Sequence, residues 1–207
     1  MTLEWFGHAC FKLSGSGGSV VFDPYADGSV PGLVLPPLTA SAVICSHGHS
    51  DHSAADAVRC VGNGFPFPLR QIPCWHDEYK GAKRGDNLIS IVSCDGLTVA
   101  HMGDIGHLPD GEMLKALADI DIMLIPVGGV YTLDAAAAFE LVRMMSPRAV
   151  VPMHYRSDGF GLSNIAPVSD FLRLFNEDKI HRLPGSVWEI DRTEALSGVY
   201  VFADSII

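Results

Sequence analysis

The chain has 207 residues, of which 48% are apolar and 18% charged, and this balance excludes long disordered regions because it supplies enough apolar surface for a packed core. Fourteen Lys and Arg stand against 24 Asp and Glu, and the net charge of −10 disfavours nucleic-acid and anionic membrane partners. No segment approaches the roughly 20 apolar residues of a membrane span, and the first residues lack the pattern of a leader peptide. We therefore expect one cytoplasmic domain over residues 1–207.

Strand and turn signals fill the first part of the chain. Apolar and β-branched runs predict strands at residues 3–6, 10–13 and 19–22, with a glycine-rich turn at 15–18 before the last of them. Residues 24–38 are rich in Pro and Gly and predict an irregular surface loop. A strand at 42–45 and a short helix at 54–58 are expected next.

Strands and helices alternate in the rest of the chain. The apolar runs predict strands at 88–92, 97–100, 122–127, 149–151, 180–183, 187–190 and 198–202. Helices are predicted at 112–118, at 134–145 with Asp134 as N-cap, and at 168–175. This order is typical of an α/β protein whose sheets are covered by helices on their outer faces.

The cysteines give no sign of a disulfide framework or a zinc ribbon. Their number is odd and they form no Cys-x-x-Cys pair, so we expect reduced, mostly buried thiols at Cys10, Cys45, Cys60, Cys74 and Cys94. The nine histidines are therefore the candidates for chemistry.

The most informative segment is a cluster of histidines and one carboxylate directly after the strand at 42–45: His47-Gly48-His49-Ser50-Asp51-His52. His47 and His49 are two residues apart and can point to the same side of an extended segment, whereas Asp51 and His52 can face a second centre. Gly48 allows a tight backbone turn between them. The spacing therefore predicts a metal site, with room for two ions on one short segment.

Two further strands end in potential ligands. The strand at 97–100 leads into His101 and Asp104, and the strand at 149–151 leads into His154. Ligands collect at the carboxyl ends of strands in open α/β sheets, so we expect these residues to join the histidine cluster.

Taken in order, the histidine cluster, Asp104, His154 and the early Asp23 resemble the metallo-β-lactamase superfamily of metal-dependent hydrolases. Residues 5–11, 100–104 and 152–155 are also similar to small stand-alone members related to the ascorbate-phosphate lactonase branch. The resemblance implies an αβ/βα four-layer sandwich, with two mixed β-sheets flanked by helices.

The resemblance also implies a role for each matching residue. A first metal would be held by His47, His49 and a third histidine, either His76 or His101. We favour His76, because His101 lies only three residues before Asp104 and suits a supporting or substrate-facing role. A second metal would be held by Asp51, His52 and His154, with Asp104 bridging the two ions. Asp23 would orient the ligands by hydrogen bonding, although a plain turn Asp before proline is the alternative, and His8 is either a supporting or a structural residue.

The chemistry that follows is hydrolysis. Two divalent cations, with Zn²⁺ favoured over Mn²⁺ or Fe²⁺, can lower the pKa of a bound water to about 7 and supply a bridging hydroxide. We expect it to cleave a lactone, thioester or phosphoester in a small anionic substrate, with Asp51 or Asp104 assisting proton transfer. Tyr131, Tyr155 and Arg156 are the candidate substrate-binding residues, and Arg156 suits an anionic group best.

The alternatives are a non-catalytic metal-binding module and a nuclease-type phosphodiesterase of the same fold. A redox di-iron protein is disfavoured, because related oxygen-reducing proteins carry a carboxylate where this chain has His49. The sequence leaves the formation of a homo-oligomer open.

Overall fold

Two mixed β-sheets form the frame of the computed structural model, which describes residues 1–62 and 64–203. The strands, in chain order, are β1 (Thr2–Trp5), β2 (Phe11–Gly15), β3 (Gly18–Phe22), β4 (Leu38–Ala40), β5 (Ala42–Ile44), β6 (Val58–Cys60), β7 (Leu69–Trp75), β8 (Asp86–Cys94), β9 (Leu97–His101), β10 (Ile122–Pro126), β11 (Ala149–Met153), β12 (Ile180–Arg182), β13 (Val187–Glu189) and β14 (Gly198–Val201). The helices are α1 (Gly111–Ala116), α2 (Ala135–Met145) and α3 (Val168–Leu172), with 3₁₀ turns at Ala55–Ala57 and Glu177–Lys179.

The first sheet has five strands in the order β13-β1-β2-β3-β5. Its pairs are antiparallel except β3 with β5, which run parallel. A hairpin joins β2 to β3, and Gly18 opens β3 with a φ of +138°, a conformation that glycine adopts without a Cβ clash. The ends of β1, β3 and β5 each lead into residues of the histidine cluster described below.

The second sheet has seven strands in the order β12-β14-β11-β10-β9-β8-β7. The strands from β12 to β9 run parallel, and β8 pairs antiparallel with both β9 and β7. Every residue of the central strands β10 and β11 is buried, as expected for parallel strands covered on both faces. Strand β7 therefore has the direction of β9 and β11, so the carboxyl ends of these three strands lie at one edge.

Aromatic side chains join the two sheets in the core. Trp5 of β1 packs against Tyr155, just beyond β11, with ring centroids 5.5 Å apart, and against Phe202, beyond β14, at 5.9 Å. Phe11 of β2 also reaches Phe202, at 6.2 Å. The inner faces of both sheets therefore bury their apolar side chains in one cluster.

The longest helix has the boundaries that the sequence predicts. The Asp134 carboxylate accepts a hydrogen bond from the Ala137 backbone N–H at 2.9 Å, so Asp134 is the N-cap of α2. The helix ends at Met145, and the next residue, Ser146, is its C-cap with a left-handed φ of +50°. On its buried side α2 packs against the segment of α3, where the Phe139 and Phe175 rings lie 5.0 Å apart.

The predicted α/β class is confirmed, although several elements differ from the prediction. The helix expected at 54–58 is wrong: the segment forms a single 3₁₀ turn and then enters β6, which pairs with β4 in a small separate sheet. Strand β7 was not predicted, because it is a largely exposed edge strand without alternation and carries Pro73.

All five cysteines are free thiols, and Cys10, Cys74 and Cys94 are buried as expected. Cys60, by contrast, is exposed. Among residues 1–62 and 64–203, no helix has the length and apolar character needed to cross a membrane.

Candidate metal centre

Histidines and carboxylates converge where strands of both sheets end. His47 follows β5 and Asp23 follows β3 in the first sheet, whereas His76, Asp104 and His154 follow β7, β9 and β11 in the second. Because the ends of these strands share one edge of the molecule, side chains far apart in sequence form a single cluster.

One part of the cluster contains three imidazoles. His47, His49 and His76 each offer a ring nitrogen, and these nitrogens all lie within 4.8 Å of one another. Their ring centroids are separated by 4.6 Å from His47 to His49, 4.7 Å from His47 to His76 and 5.0 Å from His49 to His76. Three imidazoles at this spacing form a suitable ligand set for one transition-metal ion.

A second part combines three imidazoles with a carboxylate. Ligand atoms of His8, Asp51, His52 and His154 also lie within 4.8 Å of one another. The His8 Nε2 is 3.3 Å from Asp51 Oδ2, and the His8 and His154 rings are 4.0 Å apart. This group provides nitrogen and oxygen donors for a second ion.

Asp104 lies between the two groups. Its Oδ2 is 3.2 Å from His76 Nε2 in the first group, and 3.2 Å from His154 Nε2 and 3.3 Å from His52 Nε2 in the second. Burial raises the pKa of Asp104, but His154 and His52 outweigh burial and hold the pKa well below its usual range. The side chain is therefore a carboxylate within reach of both ligand groups.

The backbone before Asp104 is built around a glycine. Gly103 has a φ of +55°, and a Cβ on it would lie 2.3 Å from Asn87 Oδ1. The same Asn87 oxygen accepts a hydrogen bond from the Asp104 backbone N–H at 2.9 Å, while its amide group donates to the Met102 carbonyl at 2.9 Å. Asn87 thus fixes the turn that delivers Asp104 to the cluster.

The donor atoms of the cluster are suited to a cation. Within residues 1–62 and 64–203, the buried side-chain nitrogens and oxygens without a hydrogen-bond partner all belong to this cluster, on His8, His47, His52, His76, Asp104 and His154. Buried polar atoms without partners are costly, and a bound cation would satisfy their lone pairs. The residues present therefore fit the metal ions that the sequence predicts.

Asp23 fixes the orientation of ligands in the cluster. Its carboxylate accepts hydrogen bonds from the Ser46 backbone N–H at 2.7 Å, the Ser46 hydroxyl at 2.6 Å and His52 Nδ1 at 2.8 Å. Burial raises the pKa of Asp23, but His101 and His52 lower it by more, so Asp23 remains a carboxylate. Because His52 donates from Nδ1, its Nε2 is the ring atom that faces Asp104 and the cluster.

His101 lies behind Asp23, away from the two ligand groups. Its Nε2 donates to the Ala9 carbonyl at 2.8 Å, and its Nδ1 accepts from the Gly103 backbone N–H at 3.2 Å. The ring also stacks on Phe22 with centroids 5.1 Å apart. Both ring nitrogens are therefore already engaged, whereas His76 points its Nε2 at Asp104.

His8 is held in place by its own backbone. Its φ of +51° is left-handed, which is unusual for a residue other than glycine, and its carbonyl accepts hydrogen bonds from Trp5 Nε1 and the His154 backbone N–H, both at 3.2 Å. Burial lowers the pKa of His8 to about 3, so its imidazole is neutral. The side chain that the sequence assigned only to a supporting or structural role contacts Asp51 directly.

A cavity of about 250 Å³ opens over the cluster. It is lined by His49, Asp51, His76, Arg84, Asp104, Tyr131, His154 and Leu162. Tyr131 was predicted from the sequence, whereas Arg84 was not, because it lies in a loop with no strand end or motif to mark it.

The other two predicted substrate-binding residues do not line this cavity. Tyr155 is buried in the core between Trp5 and Phe160, because His154 points into the cluster and the next side chain turns to the opposite side. The backbone of Arg156 pairs with Ala166 and Pro167, and its side chain is absent from the cavity wall. Neither residue lines the cavity in the structure, and their role in substrate binding stays a prediction.

Two ligand groups joined by a carboxylate, at the strand ends of a two-sheet α/β fold, define a metal-dependent hydrolase. The sequence-family model of the β-lactamase superfamily domain matches residues 2–154 of this chain, so the chain belongs to the metallo-β-lactamase superfamily. The predicted fold is confirmed.

Proteins similar to this chain carry the same description. A metal-dependent hydrolase of Thermoplasma acidophilum is 31% identical, over 76% of this chain and 84% of the relative. One from Carboxydothermus hydrogenoformans is 27% identical, over 76% of this chain and 85% of the relative. The crystal structure of a proposed zinc-dependent hydrolase of the superfamily from Thermotoga maritima has a TM-score of 0.76 at 28% identity, over 97% of both chains. The narrower similarity to the ascorbate-phosphate lactonase branch stays a prediction.

Proposed function

We propose that this chain is a dinuclear hydrolase that cleaves an ester-like bond, a lactone, thioester or phosphoester, in a small anionic substrate. The observation that carries the proposal is the position of Asp104 Oδ2, 3.2 Å from an imidazole of each ligand group. In this proposal His47, His49 and His76 hold one ion and Asp51, His52 and His154 hold the other, with Asp104 shared between them.

Bound divalent ions would supply a water activated at neutral pH and would polarise the carbonyl or phosphoryl oxygen of the substrate. Zinc is the ion that we favour, because imidazole-rich sites suit zinc and the similar Thermotoga maritima protein is described as zinc-dependent. Mn²⁺ and Fe²⁺ accept the same donors and belong in the same test.

Asp51 is the residue that we assign to proton transfer. It lines the cavity, and its Oδ2 accepts a hydrogen bond from His8. Burial raises the pKa of Asp51, but the hydrogen bond from His8 and the charge of His52 lower it by more. Asp51 is therefore a carboxylate at neutral pH. We assign it to proton transfer because it lines the cavity, although the lowered pKa makes it a weaker base than an ordinary carboxylate.

The cavity favours a small substrate with negative charge. Its volume of about 250 Å³ suits a metabolite-sized group, and Arg84 lines it together with the ligand residues. Two divalent ions would outweigh the negative charges of Asp51 and Asp104, so the centre would be cationic. The overall charge of −10 argues against nucleic acid as the substrate.

The test combines metal analysis with a substrate panel. Protein loaded with zinc, manganese or ferrous iron is assayed on lactones, thioesters and phosphodiesters, and its metal content is measured by mass spectrometry. We expect two ions per chain and turnover of at least one ester class. A single ion per chain would contradict the dinuclear centre, absence of turnover would favour a non-catalytic metal-binding module, and turnover of nucleic acid alone would favour a nuclease.

A further inference from the structure

A basic loop borders the candidate metal centre. The residues between β7 and β8 begin with His76 and carry Lys80, Lys83 and Arg84 together with Asp77 and Glu78. With three basic and two acidic side chains, this loop has a formal charge of +1, in a chain whose net charge is −10. Positive charge concentrated beside a cavity attracts anionic ligands, even when the net charge of the protein is negative.

The loop is fixed by a buried carboxylate. Asp77 accepts four backbone hydrogen bonds, from Tyr79 at 2.7 Å, Gly81 at 3.0 Å, Lys83 at 2.9 Å and Arg84 at 2.7 Å. The His76 backbone N–H also donates to the Gly85 carbonyl at 3.0 Å, which closes the base of the loop. The position of Arg84 relative to His76 is therefore set by the loop itself.

The guanidinium of Arg84 is held on one side and open on the other. Its Nη2 donates to the Val130 carbonyl at 2.8 Å, and the group lies 5.5 Å from the centre of the Tyr131 ring. Tyr131 is in turn held by the Asn164 side-chain amide, which donates to its hydroxyl at 2.8 Å. In the part of the chain that the structure describes, this leaves the other guanidinium N–H groups available to a ligand.

Arg84 lies between two adjoining cavities. The first is the cavity over the ligand residues, and the second, of about 820 Å³, shares Arg84 and His49 with it. The second cavity is bordered by the apolar side chains of Pro73, Trp75 and Leu88, and also by Asp86 and Asn87. Trp75 is 38% exposed although its ring is large and apolar. An apolar cleft thus adjoins a fixed cationic group at the edge of the metal centre.

We propose that Arg84 binds the anionic group of the substrate, a carboxylate or a phosphate, and that an apolar part of the same substrate occupies the cleft along Trp75. This inference rests on the proposed function and narrows it to esters that are both anionic and partly apolar. A planar guanidinium can hold a carboxylate or phosphate through two parallel hydrogen bonds, which lysine cannot do.

A pair of non-hydrolysable probes tests the assignment by binding alone. Zinc-loaded protein is titrated calorimetrically with 4-phenylbutyrate and with its neutral amide, 4-phenylbutyramide. We expect Arg84→Ala to weaken binding of the carboxylate about 10-fold or more and to weaken the amide much less, because the amide offers one neutral acceptor oxygen, with Arg84→Lys in between. Trp75→Ala should weaken both probes alike. Arg143→Ala, on the exposed face of α2, is the matched control and should change neither.

The assignment is wrong if Arg84→Ala leaves the ratio of the two affinities unchanged, whether or not the affinities themselves fall. It is also wrong if Arg156→Ala, and not Arg84→Ala, removes the preference for the carboxylate. These outcomes are independent of turnover, so a protein that hydrolyses no ester would defeat the proposed function while the binding ratio still decides the role of Arg84.

Turnover adds a second readout if the protein is active. With mono-4-nitrophenyl succinate as the anionic ester and 4-nitrophenyl butyrate as the neutral one, Arg84→Ala should raise KM for the succinate about 10-fold or more. The KM for the butyrate should rise several-fold less, so the preference for the anionic ester should fall. An equal loss of kcat on both esters would show that the substitution disturbs the metal centre, and would contradict a role limited to anion binding.

Discussion

Replacing Asp23 with Asn is the most direct test of how the centre is held in place. The φ of Asp23 is +43°, and Asn accepts this left-handed conformation as readily as Asp, so the backbone should not be disturbed. The two side chains also have nearly the same size. The change is therefore confined to the carboxylate that accepts hydrogen bonds from Ser46 and His52.

The size of the effect follows from those hydrogen bonds. Oδ1 accepts from the Ser46 N–H, whereas Oδ2 accepts from the Ser46 hydroxyl and His52 Nδ1. An amide has one acceptor oxygen, so its NH₂ group must face either the Ser46 N–H or the His52 N–H. A buried donor without an acceptor costs about 1–3 kcal/mol, and with the loss of the charged acceptor we expect a total of about 2–4 kcal/mol.

The metal affinity should fall as well. The acceptor at His52 Nδ1 becomes either a neutral amide oxygen or an NH₂ group, so the ring is held less firmly with Nε2 facing Asp104. Losses of such supporting hydrogen bonds typically reduce metal affinity about 10–100-fold. Urea unfolding of the metal-free protein measures the first effect, and competition with a chromogenic chelator measures the second.

The control is Asp191→Asn, because Asp191 is exposed and accepts hydrogen bonds only from Thr193 among the described residues. A surface change of this kind should stay within about 0.5 kcal/mol of the parent protein. If Asp23→Asn matched this control in both stability and zinc affinity, Asp23 would be a turn residue without a role in the centre.

The remaining predictions concern the ligands and the metal. His76→Ala should lower the metal content, measured by mass spectrometry, to about one ion per chain. His101→Ala should retain both ions but lose about 1–3 kcal/mol of stability, because the buried groups that bond to its ring become unpaired. Full metal occupancy in His76→Ala would reverse the assignment. Asp104→Asn should reduce metal affinity more than 100-fold, beyond the effect of a supporting residue, and unchanged affinity in a zinc titration would exclude a bridging role. In a solution whose free zinc concentration is 100 times the Kd of the site, adding a chelator should lower the apparent free energy of unfolding by about 2.7 kcal/mol. Thermal melts that are identical with and without chelator would argue against a resident metal.

Those parts of the fold whose determinants are local could be predicted from the sequence. The buried strand β10 is a continuous apolar run, and α2 has an N-cap at Asp134 and a proline two residues after its last residue. Strand β7 has neither alternation nor a buried face, because it pairs on one side only and is mostly exposed. Its existence depends on pairing with β8, which the sequence of β7 does not encode.

The same distinction applies to the ligands. His47, His49, Asp51 and His52 are close in sequence, so the backbone alone brings them together. The choice between His76 and His101 depends instead on the hydrogen-bond partners of the two ring nitrogens of His101. One of these nitrogens bonds to the carbonyl of Ala9, which is 92 residues away in the sequence. No local pattern reports such a contact, so the sequence could only favour one histidine over the other.

Arg84 and Arg156 show why substrate contacts are harder to predict than ligands. Arg156 lies two residues after His154, so its place in the chain suggested that it would reach the same cavity, yet its backbone pairs with Ala166 and Pro167 and its side chain does not line the cavity. Arg84 lies eight residues after His76 and reaches the cavity only because Asp77 folds the intervening loop. A strand end fixes the position of a ligand within a residue or two, whereas a loop fixes the position of a substrate-binding side chain through its own hydrogen bonds. Because such loops vary more readily than strand ends, we expect proteins with these ligands to differ in substrate through the segment that carries Arg84.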